Sequence, residues 1–181
     1  YPDHGGLHIQ LGSDSQEEVA GAAELLAPFY RKTTQIINMD TREETEMNLS
    51  SGVAAFEAKQ FTQAMKLLSP LAQTGLAEAQ YRLAIMHQNG LGVVRNELLA
   101  YKWMKSAAQQ DYGPALHGLG FMYMDGDCIA QDDARALQWF EAAAEQGLEG
   151  AMVALAQMLE QGRGTAPNPE RAKALYKQAG F

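Results

Sequence analysis

The sequence predicts an all-α protein, a right-handed solenoid of helix-turn-helix repeats. Three observations predict this fold: a 36-residue period in the C-terminal half, 29 alanines with only 6 prolines, and few runs of β-branched residues. Alanine has the highest helix propensity of the amino acids. A period of this length is typical of arrays in which each repeat packs on its neighbours alone.

The repeat is visible as columns of similar residues spaced 36 positions apart. The six clearest columns are Ala79, Ala115, Ala151; Leu83, Leu119, Leu155; Gly90, Gly126, Gly162; Asn96, Asp132, Asn168; Ala100, Ala136, Ala172; and Ala107, Ala143, Ala179. Trp103 and Trp139 match as well, with Leu175 in the third copy. This agreement at one spacing indicates three copies of one structural unit.

Each column predicts a local structural role. The column that begins at Gly90 marks the end of a first helix, because only glycine adopts a left-handed backbone at low cost. The column that begins at Asn96 holds N-cap residue types for a second helix, and Pro169 suits its first turn. The column that begins at Ala84 contains only small residues, which allows close helix packing. Cys128 stands where the other repeats have glycine, so we expect the second loop to use a different backbone.

The residues 115–126 and 136–147 carry the pattern Ala-x-x-x-Leu-Gly-x-x-Tyr-x-x-Gly, then Ala-x-x-Trp-x-x-x-Ala-Ala-x-Gln-Gly. This pattern resembles the Sel1-like repeat, a relative of the tetratricopeptide repeat. The resemblance covers residues 75–181 as units at 75–110, 111–146 and 147–181. It implies a non-catalytic scaffold or adaptor for protein–protein interaction, in a bacterium and associated with the cell envelope.

The region before residue 75 predicts a shorter unit and a leading helix. The unit at 44–74 has tetratricopeptide-like spacing at Gly52, Ala55, Phe61, Ala64, Leu68 and Leu71. Capping-box patterns begin at Ser15 and at Thr41, which predicts a leading helix within 15–43, kinked near Pro28, and then the first helix of the short unit. Residues 1–14 lack periodicity and are predicted to be disordered. The total is about nine helices.

Composition excludes several classes of function. The net charge of −8 disfavours a nucleic acid or an anionic membrane as partner, because both bind clustered Lys and Arg. No apolar run approaches the ~20 residues of a membrane span. The chain begins at Tyr1 rather than Met, which fits a cleaved exported protein or an excised domain and favours a periplasmic or exported location over a cytoplasmic one.

The sequence contains no recognisable catalytic, cofactor or metal motif. Cys128 is predicted to be a loop thiol without a catalytic partner, and His87 to pack in the core. His4 and His8 could be read as metal ligands, but we expect a solvated tail. The acidic run from Asp125 to Asp133 lacks the ligand spacing of an EF-hand. We therefore expect no enzyme activity, metal or cofactor.

The family geometry implies that the first helices line a concave groove. Its predicted partner-binding residues are Tyr81, Ile85, His117, Phe121, Met124, Val153 and Gln157. An exposed stripe of this apolar character is typical of a partner site, although superhelical turns or the N-terminal helix could also cover it. The first-helix positions taken to face the groove include Glu78, Asp125 and Glu160 but no Lys or Arg, which predicts an apolar or basic protein segment rather than a C-terminal carboxylate.

Two alternatives stay open. One keeps the fold but makes self-association the function, through an open C-terminal end at Leu175, Tyr176 and Phe181. The other is an enzyme of unrecognised type, although the sequence pattern places no acid–base pair at a common pocket.

Overall fold

The computed structural model describes the backbone of residues 13–181 and the side chains of residues 19–181. Within this range the chain forms eight α-helices and no strand. The helices are α1 Ser13–Glu57, α2 Phe61–Gln73, α3 Ala77–Asn89, α4 Glu97–Ala108, α5 Gly113–Asp125, α6 Asp133–Glu145, α7 Glu149–Gln161 and α8 Pro169–Gln178. His4, His8 and all of the predicted tail except Ser13 and Asp14 lie outside the described residues.

The helix α1 is continuous where the sequence predicts two helices, so the described residues form eight helices where about nine were expected. The hydroxyl of Thr41 donates hydrogen bonds to the carbonyls of Ile37 and Asn38, at 3.0 and 3.1 Å. Thr41 therefore sits inside a helix instead of starting one. A capping-box pattern is ambiguous for this reason, because a threonine hydroxyl can also bond to the preceding turn. Pro28 also lies within α1.

The chain divides between residues 45 and 46 into two units. The described part of the first unit is a single helical segment of α1, and nearly all its side chains from residue 19 onward are exposed. In the second unit each helix packs mainly on the helices next to it in sequence, from α2 through α8. This nearest-neighbour packing is that of an α-helical repeat solenoid. None of the helices in the described range is both long and apolar enough to cross a membrane.

The repeated small residues and leucines form the core of the second unit. The residues of the columns at Ala79, Leu83 and Ala84 are almost completely buried in all three copies. Small size is required at Gly120, because a β-carbon there would lie 2.7 Å from the ring of Phe140. The shorter unit uses the same device, since a β-carbon on Gly52 would lie 2.6 Å from the side chain of Leu68. Close packing of this kind fixes the distance between paired helices.

The predicted helix boundaries of the repeats are confirmed. Gly90, Gly126 and Gly162 end the first helices with φ of +67°, +70° and +66°. The side chains of the Asn96, Asp132 and Asn168 column accept hydrogen bonds from backbone N–H groups three residues later, at 2.9–3.0 Å. These bonds satisfy donors that the first turn of a helix otherwise leaves unpaired.

The expectation of a different backbone at Cys128 is wrong. Cys128 has a φ of +64°, close to the +69° of Gly92 and the +72° of Gly164 at the same repeat position. The loop therefore keeps one conformation in all three repeats. In the second repeat a cysteine adopts the left-handed backbone that glycine adopts in the other two.

The loops after the first helices also tie neighbouring repeats together. In the second repeat, Asp127 accepts hydrogen bonds from Gln88 and Arg95 of the first repeat, at 2.6 and 2.8 Å. At the same position in the third repeat, Arg163 binds both carboxylate oxygens of Asp133, at 2.7 and 3.1 Å. The Arg163 guanidinium keeps the pKa of Asp133 below its ordinary value. These contacts hold the first helices in register.

Candidate functional site

The seven predicted partner-binding residues lie on α3, α5 and α7, the first helices of the three repeats. They fall into three columns of the 36-residue period: Tyr81, His117 and Val153; Ile85, Phe121 and Gln157; and Met124, which shares its column with Gln88 and Glu160. Positions four and three residues apart share one face of a helix. The repeat therefore puts these side chains at equivalent places on each first helix, and we call the seven residues the first-helix surface.

Each residue of the first-helix surface is accessible to solvent. Phe121 is 36% exposed and Gln157 is exposed, and the other five are half-buried. The leucines between them, Leu83, Leu119 and Leu155, are buried. The structure thus separates a core face from an accessible face on each first helix.

An aromatic cluster forms the centre of this surface on α5. The rings of His117 and Phe121 meet edge to face with centroids 4.9 Å apart. Both also contact Phe140 of α6, at 5.9 and 5.0 Å. Phe140 is completely buried and supports the two accessible rings from behind. Edge-to-face contacts of this type stabilise a fixed arrangement of rings.

The environment of His117 disfavours the protonated form of its ring. Burial lowers its pKa, an effect that the backbone of Gly150 partly opposes. Its Nε2 atom is buried without a hydrogen-bond partner and lies near Gly150, where an added β-carbon would be 3.2 Å away. The ring therefore joins α5 to the first turn of α7 through packing more than through charge. Burial likewise lowers the pKa of His87, which is half-buried.

A second aromatic contact lies at the α3 end of the surface. The rings of Tyr81 and Tyr112 are tilted against each other with centroids 5.6 Å apart. Burial raises the pKa of both hydroxyls, so both stay protonated at neutral pH. Tyr112 precedes α5 and is not apparent in the sequence pattern as part of the site.

The charges around the surface are mostly paired. On α3, Arg82 lies between Glu57 and Glu78, at 3.6 and 3.5 Å. Glu160 accepts a hydrogen bond from the hydroxyl of Tyr176 at 3.0 Å.

One basic group reaches the surface from outside the first helices. Arg163 donates to the carbonyl of Met124 at 3.1 Å while it pairs with Asp133. The expectation of a groove without basic residues counted only residues on the first helices, and it missed this loop arginine.

The acidic residues near the second repeat act as structural partners. Asp127 pairs with Arg95, Asp132 caps α6, and Asp133 pairs with Arg163.

Across the part of the chain that the structure describes, no three His, Cys, Asp or Glu side chains come together in a group that could hold a metal ion. Burial raises the pKa of the Cys128 thiol. What the first-helix surface offers to a partner is a set of apolar and aromatic side chains.

Comparisons with known proteins agree with this architecture. The family model of the Sel1 repeat matches residues 77–112, 113–148 and 150–180, more than half of the chain. The crystal structure of a Sel1 repeat protein from Oxalobacter formigenes superposes on this chain with a TM-score of 0.70 and 30% sequence identity. The match covers 73% of this chain and 53% of that protein. The protein c5321, described as a protective antigen of uropathogenic Escherichia coli with an SLR fold, has 29% identity and a TM-score of 0.72, over 81% of this chain and 32% of that protein.

This chain spans about half of the first of these proteins and about a third of the second. A comparison with functionally curated proteins finds no match. Sel1 repeats generally mediate protein–protein interaction and are generally non-catalytic. By the extent of the three matched repeats, the chain belongs to the Sel1 repeat family.

Proposed function

We propose that this protein is a non-catalytic adaptor that binds an apolar or basic protein segment on the first-helix surface. The observation that carries the proposal is the accessible aromatic pair His117 and Phe121, held in place by the buried ring of Phe140. Aromatic residues and methionine are enriched in the parts of interfaces that contribute most to binding. Met124 and Tyr81 extend the same chemistry along the surface.

Rigidity favours binding at this site. The two accessible rings contact each other and Phe140, so their rotamers are already restricted before a partner arrives. Binding to a pre-ordered surface loses less side-chain entropy, at roughly 0.5–1.5 kcal/mol for each flexible side chain that need not be immobilised. The repeat array would serve as a rigid scaffold for a docked segment.

The charge pattern supports an apolar or basic partner. Asp125 is an exposed carboxylate at the end of α5, and Glu160 lies on α7. Arg163 is the cation beside Met124, and Asp133 already binds it through both oxygens. A partner's C-terminal carboxylate would have to compete with that ion pair, whereas a basic segment would not.

A matched pair of variants tests the proposal. Val153→Lys places a charge on the first-helix surface, and Leu98→Lys makes the same change at an exposed position, 75% accessible, on α4. Proteins captured from a native extract by the unmodified chain are identified by mass spectrometry, and the binding segment is then titrated by calorimetry. We expect Val153→Lys to weaken that binding by ~10-fold or more, about 1.4 kcal/mol, and Leu98→Lys to leave it unchanged. Equal binding by both variants would move the site away from the first helices.

Phe121→Arg, the most direct change, needs a folding control. The Phe121 ring packs on Phe140 with a centroid distance of 5.0 Å, so its loss also lowers stability. Thermal melting separates the two effects: reduced binding by a chain that still melts cooperatively supports the site.

The setting that we propose is bacterial and associated with the cell envelope, in the periplasm or exported. Its support is that both solved relatives come from bacteria and that one of them is described as a protective antigen. Cell fractionation with an antibody against the chain tests this part, and recovery in the cytoplasm would overturn it.

Self-association through Leu175, Tyr176 and Phe181 is the second candidate. The 83% exposure of Phe181 favours it, whereas Leu175 is buried and the Tyr176 hydroxyl is bound to Glu160. The three residues thus offer one exposed ring, less apolar surface than the first helices. A Phe181→Ser variant that changes the mass of the particle in light scattering would support this candidate.

A further inference from the structure

Two tyrosines and two cations meet where α4 and α6 pass the end of α5. They are Tyr101 and Lys105 of α4, Tyr123 of α5 and Arg135 of α6, and we call them the tyrosine–cation cluster. The two hydroxyl oxygens lie 3.1 Å apart, and the two rings meet edge to face with centroids 6.3 Å apart. Arg135 donates to the Tyr123 hydroxyl at 3.4 Å. The cluster shares no residue with the first-helix surface.

The polar atoms of the cluster form a chain of hydrogen-bond donors. The ammonium of Lys105 lies 5.5 Å from the centre of the Tyr101 ring. Burial and the hydrogen bond to Tyr123 raise the pKa of Tyr101, against an opposing hydrogen bond from Lys105. Burial would also raise the pKa of Tyr123, but hydrogen bonds from Tyr101 and Arg135 and the nearby positive charge lower it. The Tyr101 hydroxyl is therefore the donor in the pair.

The two cations of the cluster are not neutralised by a carboxylate between them. Among the residues that the structure describes, the charged side chains that act on the two phenols are Lys105 and Arg135. Asp132 pairs with Arg135 at 3.3 Å from three residues earlier in the chain, and the Arg135 side chain is still 61% exposed. Like charges held close together repel, and an anion placed between them would relieve that repulsion.

The next repeat shows what fits at the corresponding place between α6 and α8. At a spacing of 36 residues, Glu141 matches Lys105 and Arg171 matches Arg135. The Glu141 carboxylate accepts a hydrogen bond from Arg171 at 2.8 Å. Two leucines replace the two tyrosines there. The repeat geometry thus holds a carboxylate against the arginine of the third repeat, whereas the arginine of the second repeat meets a second cation instead.

We propose that the tyrosine–cation cluster binds a carboxylate group of an acidic protein segment, in the position that the Glu141 side chain takes in the next repeat. Lys105 and Arg135 are exposed and would donate charge-assisted hydrogen bonds to its two oxygens. The buried Tyr123 ring holds the Arg135 guanidinium, which lies 5.6 Å from the ring centre. Because both cations are open to solvent, the site suits a side chain on a partner's surface better than an enclosed small molecule.

The direct test is a titration of the full chain with a capped hexaglutamate peptide, followed by NMR, with capped hexaglutamine as the neutral control. We expect hexaglutamate alone to bind and to shift the signals of Tyr101 and Tyr123. Lys105→Glu places a carboxylate in the cluster itself and should weaken the binding of hexaglutamate by ~10-fold or more. No binding of hexaglutamate, or equal binding of hexaglutamine, would overturn the proposal.

Lys102→Glu is the matched control for net charge. Lys102 is also an exposed lysine of α4 beside an aromatic ring, with its ammonium 5.3 Å from the centre of the Trp103 ring. Because solvent and salt screen charges outside the site, this variant should change the binding of hexaglutamate by less than ~2-fold. Equal weakening by Lys105→Glu and Lys102→Glu would show that overall charge governs binding and would overturn the proposal. Inorganic phosphate that binds more tightly than hexaglutamate at equal ionic strength would overturn the choice of a carboxylate.

Thermal melting without any ligand gives a second readout. Lys105→Glu should form with Arg135 the ion pair that Arg171 forms with Glu141. Its melting temperature should therefore lie ~1–4 °C above that of Lys102→Glu. An equal or lower melting temperature would show that a carboxylate gains nothing at this place and would overturn the proposal. The binding of a segment on the first-helix surface is tested by Val153→Lys, so the two proposals can fail separately.

Discussion

Gly120 and Phe140 set the separation of α5 and α6, because the ring of Phe140 fills the space that a β-carbon on Gly120 would occupy. The would-be contact distance of 2.7 Å is shorter than real β-carbon contacts. Phe140 in turn supports the rings of His117 and Phe121. A packing requirement in the core thus determines where the accessible aromatic residues stand.

Gly120→Ala is expected to lower the free energy of unfolding by about 1–3 kcal/mol, because it overpacks this contact. Gly21→Ala is the matched control in α1, where no atom lies within 4 Å of the added carbon. There alanine should be neutral or stabilise the helix by up to ~1 kcal/mol. Urea denaturation of both variants measures the difference, and a stable Gly120→Ala would mean that α5 and α6 can move apart freely.

Cys128→Gly should stabilise the second repeat. The φ of +64° at Cys128 is a left-handed conformation that costs a non-glycine residue about 1 kcal/mol. Glycine removes that cost, and the gain is reduced by its greater freedom in the unfolded chain.

Gly164→Ala is the reverse change at the matching position. Its β-carbon would collide with the carbonyl of Asp133, so a clear loss of stability is expected. Thermal melting compares the two, and a lower melting temperature for Cys128→Gly would contradict the interpretation.

Asn168→Ala should cost about 1 kcal/mol, the usual effect of losing an N-cap. The Asn168 side chain accepts the N–H of Arg171 at 3.0 Å, and alanine leaves this donor without its intramolecular partner. Asn89→Ala serves as control, because the Asn89 amide donates to the carbonyl of Ile85 four residues earlier and caps no helix start. Such a surface change is expected to stay within about 0.5 kcal/mol. Equal losses in the two variants would argue against a capping role.

Acidification should destabilise the protein through His117. Its pKa is lowered in the folded state, so the unfolded chain binds more protons as the pH falls below ~6.5. Stability is therefore highest above the unfolded pKa and falls as the pH decreases toward the lowered folded value.

His117→Val introduces the residue that occupies this column in the third repeat, and it should flatten the dependence of melting temperature on pH. Some dependence should persist, because the pKa of His87 is lowered as well. An unchanged slope would show that His117 titrates normally.

Local chemistry explains what could be predicted from the sequence. A glycine that ends a helix and an asparagine that begins the next one act on neighbouring backbone atoms, so the positions of Gly90 and Asn96 could be predicted from residue type alone. The continuity of α1 could not, because the pattern at Thr41 is compatible with a helix start and with a helix interior. The backbone at Cys128 is imposed by its surroundings against the preference of the residue.

The positions of the first-helix surface could be predicted from the repeat, but the residues that pack behind it or reach it from a loop could not. The first-helix positions follow from the repeat, whereas Phe140 shares its column with Met104 and Tyr176 and gives no recurring signal. Arg163 reaches Met124 from a loop, which helix periodicity does not register. Whether the seven residues bind a partner stays a prediction.

The ionic contacts between repeats have a consequence for how such an array can evolve. Asp127 and Arg163 occupy one repeat position with opposite charge, and each pairs with the preceding repeat. Deleting the 36 residues of the middle copy would keep the glycine and cap positions and bring Arg163 to the place beside Arg95 where Asp127 now lies, but also beside Glu97, which occupies the column of Asp133 in the first repeat. Recombination between the copies would therefore exchange the ionic partners at the junction instead of abolishing them.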